Sequence, residues 1–200
     1  MRKKNIIKVL FIFLLLTTAL STKADVVFNN LDDLAKSSNT NYDTVAKVEI
    51  TSLNNINIIS RYKNINELLI TNLNITDVTF LNNLPNLDKI TIYYSKIDLS
   101  NFDTNLSTIK IVGSYIVGDN LKPLSNSKNL VNLTLDRSYI KDISDVKYLE
   151  NLTVLSLNSI SNLKSLEPIT NLKKLHTLNF SGSEDLISDK VLTFIRKKGI

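Results

Sequence analysis

Aliphatic residues recur along this chain at a spacing that a single helix or hairpin would not produce. From Val45 onward the pattern is aliphatic at offsets 0, 3 and 5, small or aliphatic at 8, and aliphatic again near 10. Ile65, Leu68, Ile70, Leu73 and Ile75 make one unit, and Leu87, Ile90, Ile92, Ser95 and Ile97 make the next. It returns as Leu106, Ile109, Ile111, Ser114, Ile116 and as Leu130, Leu133, Leu135, Ser138, Ile140. Leu152, Leu155, Leu157 and Ile160 follow, with a one-residue slip to Leu163. Leu175, Leu178, Phe180 and Ser183 close the series, which Val45, Val48, Ile50 and Leu53 open. The starts at 45, 65, 87, 106, 130, 152 and 175 mark seven units, separated by 19 to 24 residues. Self-similarity at this length is the mark of stacked repeats.

Each unit predicts a short strand whose residues at offsets 3 and 5 point inward, while offsets 2, 4, 6 and 7 face outward. The chain then returns along the outside through a sparse apolar segment, such as Val78, Phe80, Leu81, Leu84 or Ile143, Val146, Leu149. About ten residues of irregular spacing suit a 3₁₀ turn better than a full helix. No unit buries its own face alone, so the units must stack and the ends need caps. Phe28 to Ala35 has helical spacing and predicts an N-terminal cap within residues 25–44, before a polar linker at 36–42. After the repeats, which span 45–185, residues 186–200 predict a C-terminal helix with Ser188 at its start. Arg196, Lys197 and Lys198 in its last turn complement the helix dipole, and Gly199 ends it.

The first 24 residues follow a different rule. Arg2, Lys3, Lys4 and Lys8 precede an unbroken, mostly apolar run from Val9 to Leu20, followed by Ser21, Thr22, Lys23 and Ala24. That is the order of a secretory signal peptide, with cleavage after Ala24 or after Ser21. The run is too short to span a bilayer, which takes about 20 residues; an uncleaved anchor is the alternative.

This segment changes the charge balance. The whole chain has 24 basic and 19 acidic residues, a net of +5, which would suit a nucleic acid or an anionic membrane. Five of the basic residues lie in 1–24, with no acidic ones, so residues 25–200 hold 19 of each sign. The case for a nucleic-acid partner goes with the signal. The absence of Cys means that the exported domain folds by core burial alone, and it removes a lipid-anchored Cys and a thiol nucleophile.

The stretches Ile75–Leu87 (ITDVTFLNNLPNL), Asn129–Leu152 (NLVNLTLDRSYIKDISDVKYLENL) and Leu163–Leu175 (LKSLEPITNLKKL) resemble the 22-residue leucine-rich repeats of bacterial internalins. The resemblance covers roughly residues 45–185. It implies an α/β solenoid with parallel strands on the concave face, 3₁₀ segments on the convex face, a protein-binding role and no catalysis. The sequence departs from the family at offset 8, where Asn gives way to Ser95, Ser114, Ser138 and Ser183, and to Leu53, Leu73 and Ile160. A hydroxyl makes fewer hydrogen bonds than an amide, so a less regular ladder is expected there. No immunoglobulin-like module or sorting motif follows the repeats in this sequence, so wall anchoring is not expected.

A search for chemistry yields little. His176 is the one histidine, at offset 1 of the last unit, and no nucleophile elbow accompanies it. The four glycines form no phosphate-cradling cluster, and Asp142 and Asp145 do not fit an EF-hand loop. Asn74, Asn105, Asn132 and Asn151 match a glycosylation acceptor, as any Asn- and Thr-rich repeat does. No catalytic, cofactor or metal site is expected.

The outward offsets therefore bear the functional expectation. They are small and polar at both ends of the row, while Tyr93, Tyr94, Lys110, Val112, Asp136 and Arg137 gather in the middle. Tyr and Arg anchor protein interfaces. The sequence thus predicts a monomeric exported protein that binds a protein partner, such as a host-surface or envelope protein, through its concave face. A self-assembling periplasmic or surface scaffold is the second expectation, and a carbohydrate-active enzyme the third.

Overall fold

A computed structural model describes residues 29–37, 42–102, 105–160 and 162–200. The signal segment at 1–24 and the cap residue Phe28 lie outside these described residues. Strands β1 (Asn29–Asn30), β2 (Lys47–Ile50), β3 (Glu67–Thr71), β5 (Lys89–Tyr93), β7 (Thr108–Val112), β9 (Asn132–Thr134), β10 (Val154–Ser156) and β11 (Thr177–Asn179) form one parallel sheet in that order. Between them, β4 (Asn74–Ile75), β6 (Lys96–Ile97) and β8 (Tyr115–Ile116) make a second, narrow parallel sheet.

The register follows the sequence period residue for residue. Val48, Leu68, Ile90, Ile109, Leu133, Leu155 and Leu178, all at offset 3, stand opposite one another across the wide sheet. All but Leu178 are buried, and so are the offset-5 residues from Ile50 to Leu157. Each such side chain taken from water contributes about 1.5–3 kcal/mol before entropy is counted. A one-residue slip would turn the whole row to solvent, so the aliphatic pattern specifies the pairing.

The returns run as 3₁₀ segments at Ile56–Arg61, Thr79–Asn83, Lys122–Leu124, Ser144–Tyr148 and Glu167–Asn171, as the spacing predicts. Each buries an aliphatic residue: Ile59, Leu81, Leu124, Val146 or Ile169. Most are launched by a side chain two residues ahead of the accepted N–H. Asp77 accepts from the Thr79 N–H at 2.8 Å, Asn120 from Lys122 at 3.0 Å and Asp142 from Ser144 at 2.7 Å, and Asp98 accepts from the Ser100 N–H at 2.9 Å ahead of a plain turn. The Thr79 N–H holds the Asp77 carboxyl below its ordinary range, and the Ser100 hydroxyl, with its N–H, does the same for Asp98. That is the local role of the acidic residues in the returns.

Two ladders tie the units together. At offset 8, Ser95 Oγ accepts from the Leu73 N–H at 3.1 Å, Ser114 Oγ from the Ser95 N–H at 3.1 Å, and Ser138 Oγ from the Ser114 N–H at 3.4 Å. The chain of bonds stops where Ile160 replaces Ser, and the Ser138 N–H turns to Leu135 O instead. The irregularity expected of a serine ladder is thus a clean termination. A second ladder uses the Asn just before three of the units: Asn64 donates to Asp43 O, Asn86 to Lys63 O and Asn151 to Lys128 O, at 2.8, 2.9 and 2.7 Å.

The caps need one correction. The helical spacing at 28–35 predicts helix, but Asn29 and Asn30 first pair with Val48 and Glu49 as the edge of the sheet. Helix α1 then runs over Leu31–Lys36, with the Asn30 side chain accepting from the N–H groups of Asp32 and Asp33. The edge strand satisfies the open backbone of β2, which outweighs a short helix propensity. Helix α2 (Asp189–Lys198) matches its expectation: Ser188 caps it, and Gly199 ends it at φ 70°.

Candidate protein-binding surface

A turn shared by successive units positions the candidate residues. At offset 7 the backbone is left-handed in Asn72, Tyr94, Gly113, Arg137, Ser159 and Gly182, with φ between 48° and 81°. The side chain at that position leaves the strand and stands on the lip of the concave face. Asn, Ser and Gly suit such a turn, whereas Tyr and Arg are uncommon there.

Tyr93, at the end of β5, lies half-buried on the floor, with Lys110 Nζ 5.6 Å from its ring centre. Tyr94 is 61% exposed, and its ring is tilted 32° to that of Tyr93 at 6.1 Å. Arg137 is exposed beyond the following unit, and its backbone N–H donates to Asn158 O. The structure thus brings Tyr93, Tyr94 and Lys110 together and sets Arg137 further along the same lip.

Two candidates are corrected. Val112 is outward by period but only 3% exposed, with Tyr93 paired beside it in the sheet, so it offers a partner almost no surface. Asp136 serves the fold. Its carboxylate accepts from Ser156 Oγ at 2.7 Å, from the Asn158 N–H at 3.0 Å and from Asn158 Nδ2 at 3.4 Å. Asn158 Oδ1 accepts in turn from Ser181. This network links three units and leaves Asp136 positioned rather than available.

A neighbouring cluster escaped the sequence reading. At offset 9, one step past the serine ladder, stand Asn74, Lys96, Tyr115 and Tyr139, and Tyr115 bridges to Tyr139 as the narrow sheet ends. The two rings stack at 5.2 Å and 28°. Lys96 Nζ lies 5.7 Å from the centre of the Tyr115 ring, and Lys141 Nζ lies 5.3 Å from that of Tyr139. Lys141 also pairs with Asp119 Oδ2 at 2.7 Å. The hydrogen bond from Lys141 holds the Asp119 carboxyl below its ordinary range, and the same bond raises Lys141. The Asp119 carboxylate, by hydrogen bonding and by charge, pushes the Tyr115 hydroxyl up. Extending the period by one offset would have exposed this row in the sequence.

Elsewhere the face is quieter. Lys47 and Glu67 pair across β2 and β3 at 2.8 Å, and His176 lies exposed before β11. Among the described residues no group of three His, Cys, Asp or Glu is placed to hold a metal ion, and no helix is long and apolar enough to cross a membrane. A groove of about 940 Å³ on the return side, lined in part by Thr79, Phe102, Val117 and Lys122, is open to solvent.

No family model matches the sequence, and no curated protein matches it. Solved structures do. Internalin C2 of Listeria monocytogenes is 27% identical over 71% of this chain, with a TM-score of 0.54. A Leptospira interrogans leucine-rich-repeat protein is 23% identical over 84% of the chain, with a TM-score of 0.62, and shares the fold. The chain spans 64% of the length of the first and 45% of the second. Stacked repeats of this kind present an extended concave binding surface. With its parallel strands, 3₁₀ returns and aliphatic period in register, the chain is a leucine-rich-repeat solenoid, similar to internalin C2.

Proposed function

We propose that this is an exported leucine-rich-repeat protein that acts as a monomer and binds another protein through the concave face of its sheet. Tyr93, Tyr94, Lys110 and Arg137 are its contacts, with Asp136 fixing the turn beside Arg137. The observation that carries the reading is their concentration in the middle of a face that is otherwise small and polar. Aromatic and Arg side chains supply most of the energy of protein interfaces. Export rests on the basic start, the apolar run at 9–20 and the small residues after it. It places the partner outside the cytoplasm, on a host surface or in the envelope.

The test is affinity capture with the exported chain, followed by titration of the captured partner. Replacing Tyr93 and Arg137 together with Ala should leave the circular dichroism unchanged and weaken binding by on the order of 2 kcal/mol or more. Unchanged affinity for that partner would remove this face from consideration.

A further inference from the structure

Tyr94 and Arg137 stand at a left-handed turn that neighbouring units give to Asn72, Gly113, Ser159 and Gly182. Bulky side chains disfavour that backbone, which Gly and Asn adopt readily. Burial does not offset the conformation, because both side chains are exposed. Strain kept without an interior benefit points to use at the surface. Gly113, the turn residue between them, leaves room for the Tyr94 ring to lie flat along the lip.

The charge around this lip is one-sided. Lys96, Lys110 and Arg137 supply three cations against the single carboxylate of Asp136, which keeps its charge but is tied down by Ser156 and Asn158, while Asp119 is neutralised by Lys141. Residues 25–200 carry equal numbers of both signs, so this excess is a matter of placement. Tyr115 stands between Lys96 and Tyr139 in the narrow sheet, stacked on Tyr139 on one side and with Lys96 Nζ 5.7 Å from its ring centre. The surface offers ring edges, hydroxyls and ammonium groups.

We propose that the lip formed by Tyr94, Lys96, Lys110 and Arg137 takes an acidic polypeptide segment. Its carboxylates meet the three cations, and an apolar side chain packs on Tyr94. The proposal rests on the protein-binding reading above and narrows the chemistry of the partner.

The experiment titrates short poly-L-glutamate into the isotopically labelled chain, with poly-L-lysine and a heparin fragment as comparators. Polyglutamate should shift backbone amides at 93–96, 110–113 and 136–138, with an affinity that falls as salt rises. Tyr94→Asn and Arg137→Asn reproduce the residue found at position 72. Each should leave the melting temperature unchanged or higher and weaken polyglutamate binding on the order of tenfold. Shifts scattered over the return side, or variants that lose stability yet keep binding, overturn the site. Tighter heparin binding at the same amides overturns the peptide in favour of a sulfated glycan. A protein partner held by the sheet but indifferent to salt and to both variants defeats this inference alone. Failure of the concave face to hold any captured protein defeats the reading beneath it.

Discussion

The ring of Tyr94 rests against the backbone of Gly113, so that a Cβ placed on Gly113 would stand 2.7 Å from Tyr94 Cδ1. Gly113 also has a φ of 61°. Gly113→Ala therefore meets a strained backbone and must push the ring aside. It should cost about 1–2 kcal/mol in urea unfolding, and the Tyr94 ring resonances should move. A cost near zero would mean that the ring does not lie there.

The serine ladder gives a graded test. Ser114 Oγ donates to Val112 O at 2.9 Å and accepts from the Ser95 N–H, so Ser114→Ala strands the buried Ser95 N–H and leaves Val112 O with the Tyr94 N–H alone. A loss of about 1–3 kcal/mol is expected. Ser183 makes one long bond, to Ile160 O at 3.4 Å, and Ser183→Ala should cost clearly less. Equal losses would show that the ladder is not what these hydroxyls support.

Leu133 lies fully buried on β9, with a strand paired on either side of it in the offset-3 row. Leu133→Ala should destabilise the chain by about 2–5 kcal/mol, read from the denaturation midpoint. A loss below about 1 kcal/mol would contradict the register.

The Asp119–Lys141 pair predicts a pH dependence. Asp119 is depressed in the folded state, so its contribution is complete above the ordinary carboxylate range and fades as pH falls through the folded value. Lys141 is raised, so its share persists below the ordinary lysine value and fades only as pH rises past the folded one. Asp119→Asn should flatten the acid side of the stability profile and bring the Tyr115 hydroxyl back down in an ultraviolet titration. A Tyr115 transition that does not move would separate the two groups.

The wide sheet was legible because burial enforces period: Val48 through Leu178 had to face one way, and the aliphatic spacing says so. Val112 was misread for the same reason. Period decides which face a side chain leaves from, but not whether a neighbour such as Tyr93 then covers it. The edge strand at Asn29–Asn30 was illegible because it pairs through backbone alone and has no hydrophobic pattern to display. The left-handed turn left a faint signal in Asn72, Gly113 and Gly182, which Tyr94 and Arg137 obscure.

The end of the serine ladder at Ile160 bears on how the molecule opens. In a stack where each unit holds only its neighbours, fraying begins where the coupling is weakest. Past the missing serine bond at Ile160 the two last units are held by β10, β11, the Asp136–Asn158–Ser181 bonds and the packing of α2, so amide exchange there should outrun that of β5 and β7. The lip that bears Tyr94 sits in the slowly exchanging half. Damage or truncation at the C-terminal end would then erode the stack gradually, leaving a shorter rod whose middle still presents its tyrosines.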